Sequence, residues 1–286
     1  MFQNSLFLTA AIAKVRQVQK ANSREAIYCA LPEHVNTIAH FPTRVALLRM
    51  NGGEHKRAEM NGRGRYNIVL QGVFLMPVLI CGSIAYDTIM VFHGEFKTHI
   101  LPDQIHILNV AFVVPDMRRE FGGTAGNIAY NLRMLGGDPL IMATVGEDFG
   151  PYKDRLDKLG ISRAHVREIS GAYMPQAFIT TDLDANQITA FHPGAMASSY
   201  LNRVGDAKGI TLGIVAPDSR DAMLQHASQF HDLKIPFIFD PGQQLPMFNG
   251  AELRHFIELA DYVAVNDYEA RVLEERIGEQ IGRAHV

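Results

Sequence analysis

The chain has 286 residues, of which 47% are hydrophobic and 9% aromatic, enough for one large globular domain or two small ones with a sizeable core. Its net charge of −3 hides an asymmetry: residues 1–75 hold 10 Lys and Arg against 4 Asp and Glu, and the remainder hold 17 against 26. The acidic body argues against nucleic-acid binding, and two cysteines, Cys29 and Cys81, are too few for a disulfide framework and lie in no metal-ligand spacing, which points to a reducing cytoplasmic setting.

Residues 1–75 show no sustained helical or strand period and include a Gly/Arg/Asn-rich patch from Asn51 to Asn67. No Asp occurs before Asp87, whereas 16 occur from there on, so this segment reads as an extension of separate or artefactual origin, with Met76 the natural start. Ile68 to Tyr86 runs 19 residues without a charge and is the one candidate membrane span. Gln71, Gly72, Pro77, Gly82 and Ser83 interrupt it, and residues 78–82 compete as the opening strand of a soluble fold.

Val78 to Asp87 is an apolar run ended by small residues and a carboxylate, which predicts a buried parallel strand with its ligand end at Asp87. β-rich runs at Thr88–Phe92 and Ile105–Val114 follow, around turns at Gly94 and Pro102. Then comes Phe121-Gly-Gly-Thr-Ala-Gly-Asn-Ile-Ala-Tyr-Asn-Leu-Arg-Met-Leu-Gly-Gly137, a turn feeding a helix. Gly122 and Gly123 let the backbone turn sharply, Thr124 reads as the N-cap, Ile128, Leu132 and Leu135 share one face, and Gly136-Gly137 ends the helix. The Gly-Gly amides and the Asn127 amide could grip hydroxyls of a polar ligand at the helix N-terminus.

Gly-Gly-Thr-Ala-Gly-Asn-Ile-Ala resembles the first motif of the ribokinase-like (PfkB) carbohydrate and nucleoside kinases. The resemblance implies that Gly122, Gly123 and Asn127 hold sugar hydroxyls, as does Asp87, which is similar to the family's first-strand Asp. Ribokinase has an Asn two places earlier where Ala85 stands here, a departure that argues against ribose itself. The resemblance also implies a small β-lid made from about 88–120 and 173–192.

A strand beginning near Leu140 and a helix at Pro151–Leu159 come next, then strands at Gln176–Thr181 and Gln187–Phe191 joined by Asp182–Asn186. Asn186 aligns with a sugar-contacting position of the family. From Thr211 the pattern alternates strand and helix through Tyr268–Ile277, which means βα units and a parallel sheet. Asp240 and Asn266-x-x-Glu269 fall at strand ends, where such sheets bind ligands. Asn266-x-x-Glu269 matches a family motif that organises Mg²⁺ and phosphate; Asp240 joins that group. As a local pattern it is equally an N-cap followed by a first-turn acid.

The family's Gly-Ala-Gly-Asp motif, which holds the catalytic Asp, does not occur. The reading is therefore an α/β, three-layer αβα ribokinase-like domain over residues 76–277, with a mainly parallel sheet, a β-lid and its C-terminal part missing. Residues 278–286 form a tail of artefactual look, Ile281–Val286 resembling a translated sequencing adapter. The implied activity is transfer of the γ-phosphoryl of ATP, with Mg²⁺, to a primary hydroxyl of a sugar or nucleoside, with adenosine leading and the chain as written inactive. The lid could pair two copies. A non-catalytic sugar- or nucleoside-binding module and a membrane-anchored protein using residues 68–86 are the alternatives.

Overall fold

The computed structural model describes residues 27–28, 77–100, 107 and 109–279. Most of the proposed extension, the first part of the apolar run at 68–76, residues 105, 106 and 108 of the Ile105–Val114 run and the end of the tail at 280–286 lie outside the described residues. The chain divides into two compact units, Met1–Ala30 with Met76–Val286, and Leu31–Leu75. The second unit lies wholly outside the described residues.

The first unit is built on a parallel sheet. Its strands are Ile27–Tyr28 (β1), Pro77–Cys81 (β2), Asp138–Val145 (β5), Ser162–Glu168 (β6), Leu212–Val215 (β9), Phe237–Phe239 (β10) and Tyr262–Val265 (β11). They lie in the order β1-β11-β10-β9-β2-β5-β6, and every pairing is parallel. A second, mixed sheet of Ala85–Val91 (β3), Asp116–Gly122 (β4), Gln176–Thr181 (β7) and Gln187–His192 (β8) runs β4-β3-β7-β8.

Side-chain alternation explains why the central strands are apolar without a break. Along β2, Val78 and Ile80 pack on the side covered by helices Thr124–Met134 (α1) and Gly150–Leu159 (α2), through Ile128, Leu132 and Leu156. Leu79 and Cys81 point the other way, into a second core. That core is closed by helices Arg220–Asp232 (α3), Gly250–Leu259 (α4) and Asp267–Ile277 (α5), through Phe230, Phe256 and Leu273. A strand buried on both faces has no place for a polar residue, and the result is the expected three-layer αβα arrangement.

Four local expectations need correction. The apolar run from Val78 to Asp87 is two strands, because at Gly82-Ser83 the chain leaves the parallel sheet, and Asp87 sits inside β3 of the small sheet. The antiparallel partner of β3 is Asp116–Gly122; the described residues 107 and 109–114 of the expected Ile105–Val114 run form no strand. β6 was not anticipated. Leu135 is 67% exposed, since α1 ends at Met134 and the chain turns through left-handed Gly136. The second part of the 68–86 run is strand, and among the described residues no helix is long and apolar enough to cross a membrane.

Candidate functional site

The chain leaves three adjacent strands at Ser83, Pro217 and Asp240, and these residues form the floor of a cavity of about 320 Å³ under the small sheet. Asp87 enters from β3, Gly123 and Asn127 come from the start of α1, and Thr189 and Phe191 come from alternate positions of β8. Gln243 and Gln244 enter from the turn after β10. The volume lies within the range of about 300–1,000 Å³ usual for small-molecule sites.

Asp87 is 8% exposed, and no described residue donates a hydrogen bond to its carboxylate. Burial, and then Glu120 directly opposite on β4, push its pKa above the ordinary aspartate value. A buried carboxylate without a donor is costly unless something supplies the missing hydrogen bonds, so it marks where ligand hydroxyls would sit. Gly122 lies against it: a Cβ there would come within 2.5 Å of Asp87 Oδ2. Gly122 backs the carboxylate and stays outside the cavity lining, whereas Gly123 lines it.

The start of α1 is built differently from the expected cap. Gly123 takes the N-cap position with φ 87°, and Thr124 is the first helical residue. The Ser83 hydroxyl accepts the Thr124 N–H at 3.1 Å, and the Ser83 carbonyl accepts the Ala125 N–H at 2.9 Å and the Gly126 N–H at 3.4 Å. The Thr124 hydroxyl donates to the Pro217 carbonyl at 2.9 Å. The first-turn amides of α1 thus tie the helix to the β2–β3 turn and the Thr124 hydroxyl ties it to the β9–α3 turn, which leaves the Gly123 N–H and the Asn127 side chain to face a ligand. Gly123 admits no side chain, since a Cβ would come within 2.6 Å of both Ala85 N and Ser83 O. Gly123→Ala is expected to lower stability by about 2 kcal/mol or more, combining left-handed strain with this collision, and a thermal melt would show it.

Asp240 is 7% exposed and lines the cavity; burial, then the nearby Glu269 carboxylate, raise its pKa to about 8. Asn266 and Glu269 do not line the cavity. They form a capping box on α5, in which Asn266 Oδ1 accepts the Glu269 N–H and Glu269 Oε2 accepts the Asn266 N–H, each at 2.9 Å. The local reading of this motif is therefore realised, and it carries the Glu269 carboxylate to within electrostatic reach of Asp240. Among the described residues no group of three or more His, Cys, Asp or Glu could cage a metal ion.

Asn186 stands apart from the cavity, in the β7–β8 turn, where its Nδ2 donates to Asp182 Oδ2 at 3.1 Å. Thr189 and Phe191, three and five residues on, line the cavity in its place. Strand alternation, counted inward from the turn, could have found them. Met196, Gln243 and Gln244 carried no sequence signal, because only tertiary convergence brings them to the cavity.

The nucleoside kinase of Methanothermobacter thermautotrophicus is 27% identical over 190 residues, which make up 64% of this chain and 60% of the relative. A solved structure of Burkholderia thailandensis nucleoside kinase in complex with inosine is 56% identical, covers 71% of this chain and 65% of that one, and superposes with a TM-score of 0.64. The same protein solved in complex with ADP-inosine is 59% identical, covers 71% and 64%, and gives a TM-score of 0.61. The chain spans less than two thirds of these relatives' length. The pattern of the pfkB family carbohydrate kinases matches residues 91–283, from the small sheet through the Gly-Gly turn to the Asn-x-x-Glu cap, and the chain belongs to that family.

Proposed function

We propose that this chain forms the acceptor-binding part of a kinase that transfers the γ-phosphoryl of ATP to the primary hydroxyl of a purine nucleoside, adenosine or inosine. The observation that carries the reading is the buried Asp87 carboxylate, open to the cavity and without a hydrogen-bond donor among the described residues. Two vicinal sugar hydroxyls would satisfy it, while Gly123 and Asn127 take the remaining polar contacts. Ile128, Phe191 and Met196 give the cavity an apolar wall suited to the flat face of a base, and the carboxamides of Gln243 and Gln244 offer donors and acceptors for its edge. Ala85 presents a methyl group where ribokinase has an amide, which removes a hydroxyl contact that free ribose would use.

ATP and Mg²⁺ are part of the proposal. Mg²⁺ keeps several waters and is usually held by one or two carboxylates with substrate phosphates, so the Asp240–Glu269 pair fits a hydrated ion better than a caged one. The ion would supply charge neutralisation on the phosphates. The chain's own residues orient the acceptor and keep water from it, and such positioning is the larger part of phosphoryl-transfer catalysis.

Calorimetric titration of adenosine, inosine and free ribose into the 286-residue chain tests the reading through binding alone. Both purine nucleosides are expected to bind at least tenfold more tightly than ribose. Equal affinity for ribose, or no binding of either nucleoside, would overturn it.

A further inference from the structure

The Tyr152 side chain, 2% exposed, reaches from α2 under the start of α1 and plays no part in the cavity lining. Its hydroxyl donates to the Gly122 carbonyl at 2.8 Å. Its ring packs edge-on against Phe121, with centroids 5.1 Å apart, and near Tyr86, the neighbour of Asp87 on β3, at 5.9 Å. Burial raises the pKa of the hydroxyl far beyond the working range, so it stays a donor. Room for it exists only because residue 126 is a glycine: a Cβ there would collide with the Tyr152 hydroxyl oxygen. Glycine inside a helix costs roughly 0.5–1 kcal/mol relative to alanine, and nothing else near Gly126 requires the absence of a side chain.

The Gly122–Gly123 peptide is trans, so its N–H points away from the carbonyl that Tyr152 holds. Gly123 lines the cavity and Tyr152 does not. We infer that Tyr152 is a positioning residue: by clamping the Gly122 carbonyl, with Gly126 as its socket, it fixes the Gly123 N–H toward a sugar hydroxyl beside Asp87. A Gly-Gly segment has wide rotational freedom of its own; the β3 pairing of Gly122 and the first helical bond to the Gly123 carbonyl hold its two ends, and the Tyr152 hydrogen bond fixes the peptide at its centre before the ligand arrives. The inference deepens the proposed nucleoside reading and rests on it.

The test is a double-mutant cycle of Tyr152→Phe and Gly126→Ala, read by calorimetry with inosine, 2′-deoxyinosine and 3′-deoxyinosine, alongside thermal melts. Tyr152→Phe is expected to raise the inosine Kd about three- to tenfold while the protein stays folded at the titration temperature. Gly126→Ala should do at least as much, because the new methyl group displaces the hydroxyl. The double variant should bind no worse than Tyr152→Phe alone, since without the oxygen the nearest atom to that methyl is the ring carbon Cζ at 3.1 Å. One of the two deoxynucleosides, lacking the hydroxyl that Gly123 holds, should bind wild type and Tyr152→Phe equally. A purely structural role predicts otherwise: the same loss for inosine and both deoxynucleosides, or a melting shift with no change in Kd; either of these overturns the assignment, and additive penalties would overturn Gly126 as the socket. Wild-type protein that binds no nucleoside would instead overturn the functional reading, and the positioning role with it.

Discussion

Asp87→Asn is expected to weaken nucleoside binding by about 10- to 150-fold, with the fold intact. The substitution keeps the shape of the side chain and removes its charge, and hydrogen bonds to an ionised group contribute about 1.5–3 kcal/mol. The expected effect is large because no described residue donates to the Asp87 carboxylate, so ligand hydroxyls would bring it the hydrogen bonds that the described residues do not. Acid should act in the same direction. Burial and Glu120 hold the Asp87 pKa above the ordinary aspartate value, so protonation, which removes the acceptor charge, sets in at a higher pH than for an exposed aspartate. Wild-type affinity should therefore decline on moderate acidification, whereas the Asp87→Asn protein should bind weakly at every pH. Titrations at several pH values on both proteins check this, and equal affinities would remove Asp87 from the site.

How far the sequence foretells this site depends on how many faces of each element meet solvent. β2, β9 and β10 are covered on both sides, so Val78–Cys81, Leu212–Val215 and Phe237–Phe239 are continuous apolar runs that stand out in one dimension. β4 and β6 are the edges of their sheets, with mostly exposed or half-exposed residues, and Asp116-Met-Arg-Arg-Glu and Ser162-Arg-Ala-His-Val carry too weak an alternation to reveal a strand. The break at Gly82-Ser83 is hidden for the opposite reason. Residues on both sides of it are buried, in two different sheets, so hydropathy does not change where the direction of the chain does. Of the site, Asp87, Gly123 and Asn127 were legible through local motifs. The Asn266-x-x-Glu269 cap was legible as local geometry, while its electrostatic link to Asp240 joins residues 26 or more apart in sequence and had no local signature. Tyr152 and Gly126 look unrelated until α2 is folded beneath α1.

The stability of the domain should fall as pH rises from about 6.5 to 8, the reverse of what a protein held together by ion-paired carboxylates shows. Asp218, 1% exposed between β9 and α3, has its pKa raised by burial to about 7, and Asp240 is raised to about 8. In the unfolded chain both return to ordinary aspartate values near 4. Between that value and the folded pKa, the folded state holds a proton that the unfolded state has lost, so stability declines by about 1.4 kcal/mol per pH unit for each group and stops declining above the folded pKa. His226 works the other way: burial lowers its pKa to about 4, so it stays neutral when folded and costs stability only as pH falls below its unfolded value near 6.5. Below that point His226 offsets one of the two acids, and above it the acids act unopposed. Up to pH 7 both contribute, and from 7 to 8 only Asp240 does. The combined loss, about 2–3 kcal/mol, corresponds to a fall in Tm of roughly 5–10 °C for a domain of this size. Asp218→Asn should remove its share of the slope below pH 7 and leave the Asp240 share between 7 and 8. A Tm that holds level or climbs from pH 6.5 to 8 would mean that these carboxyls titrate as ordinary solvated acids.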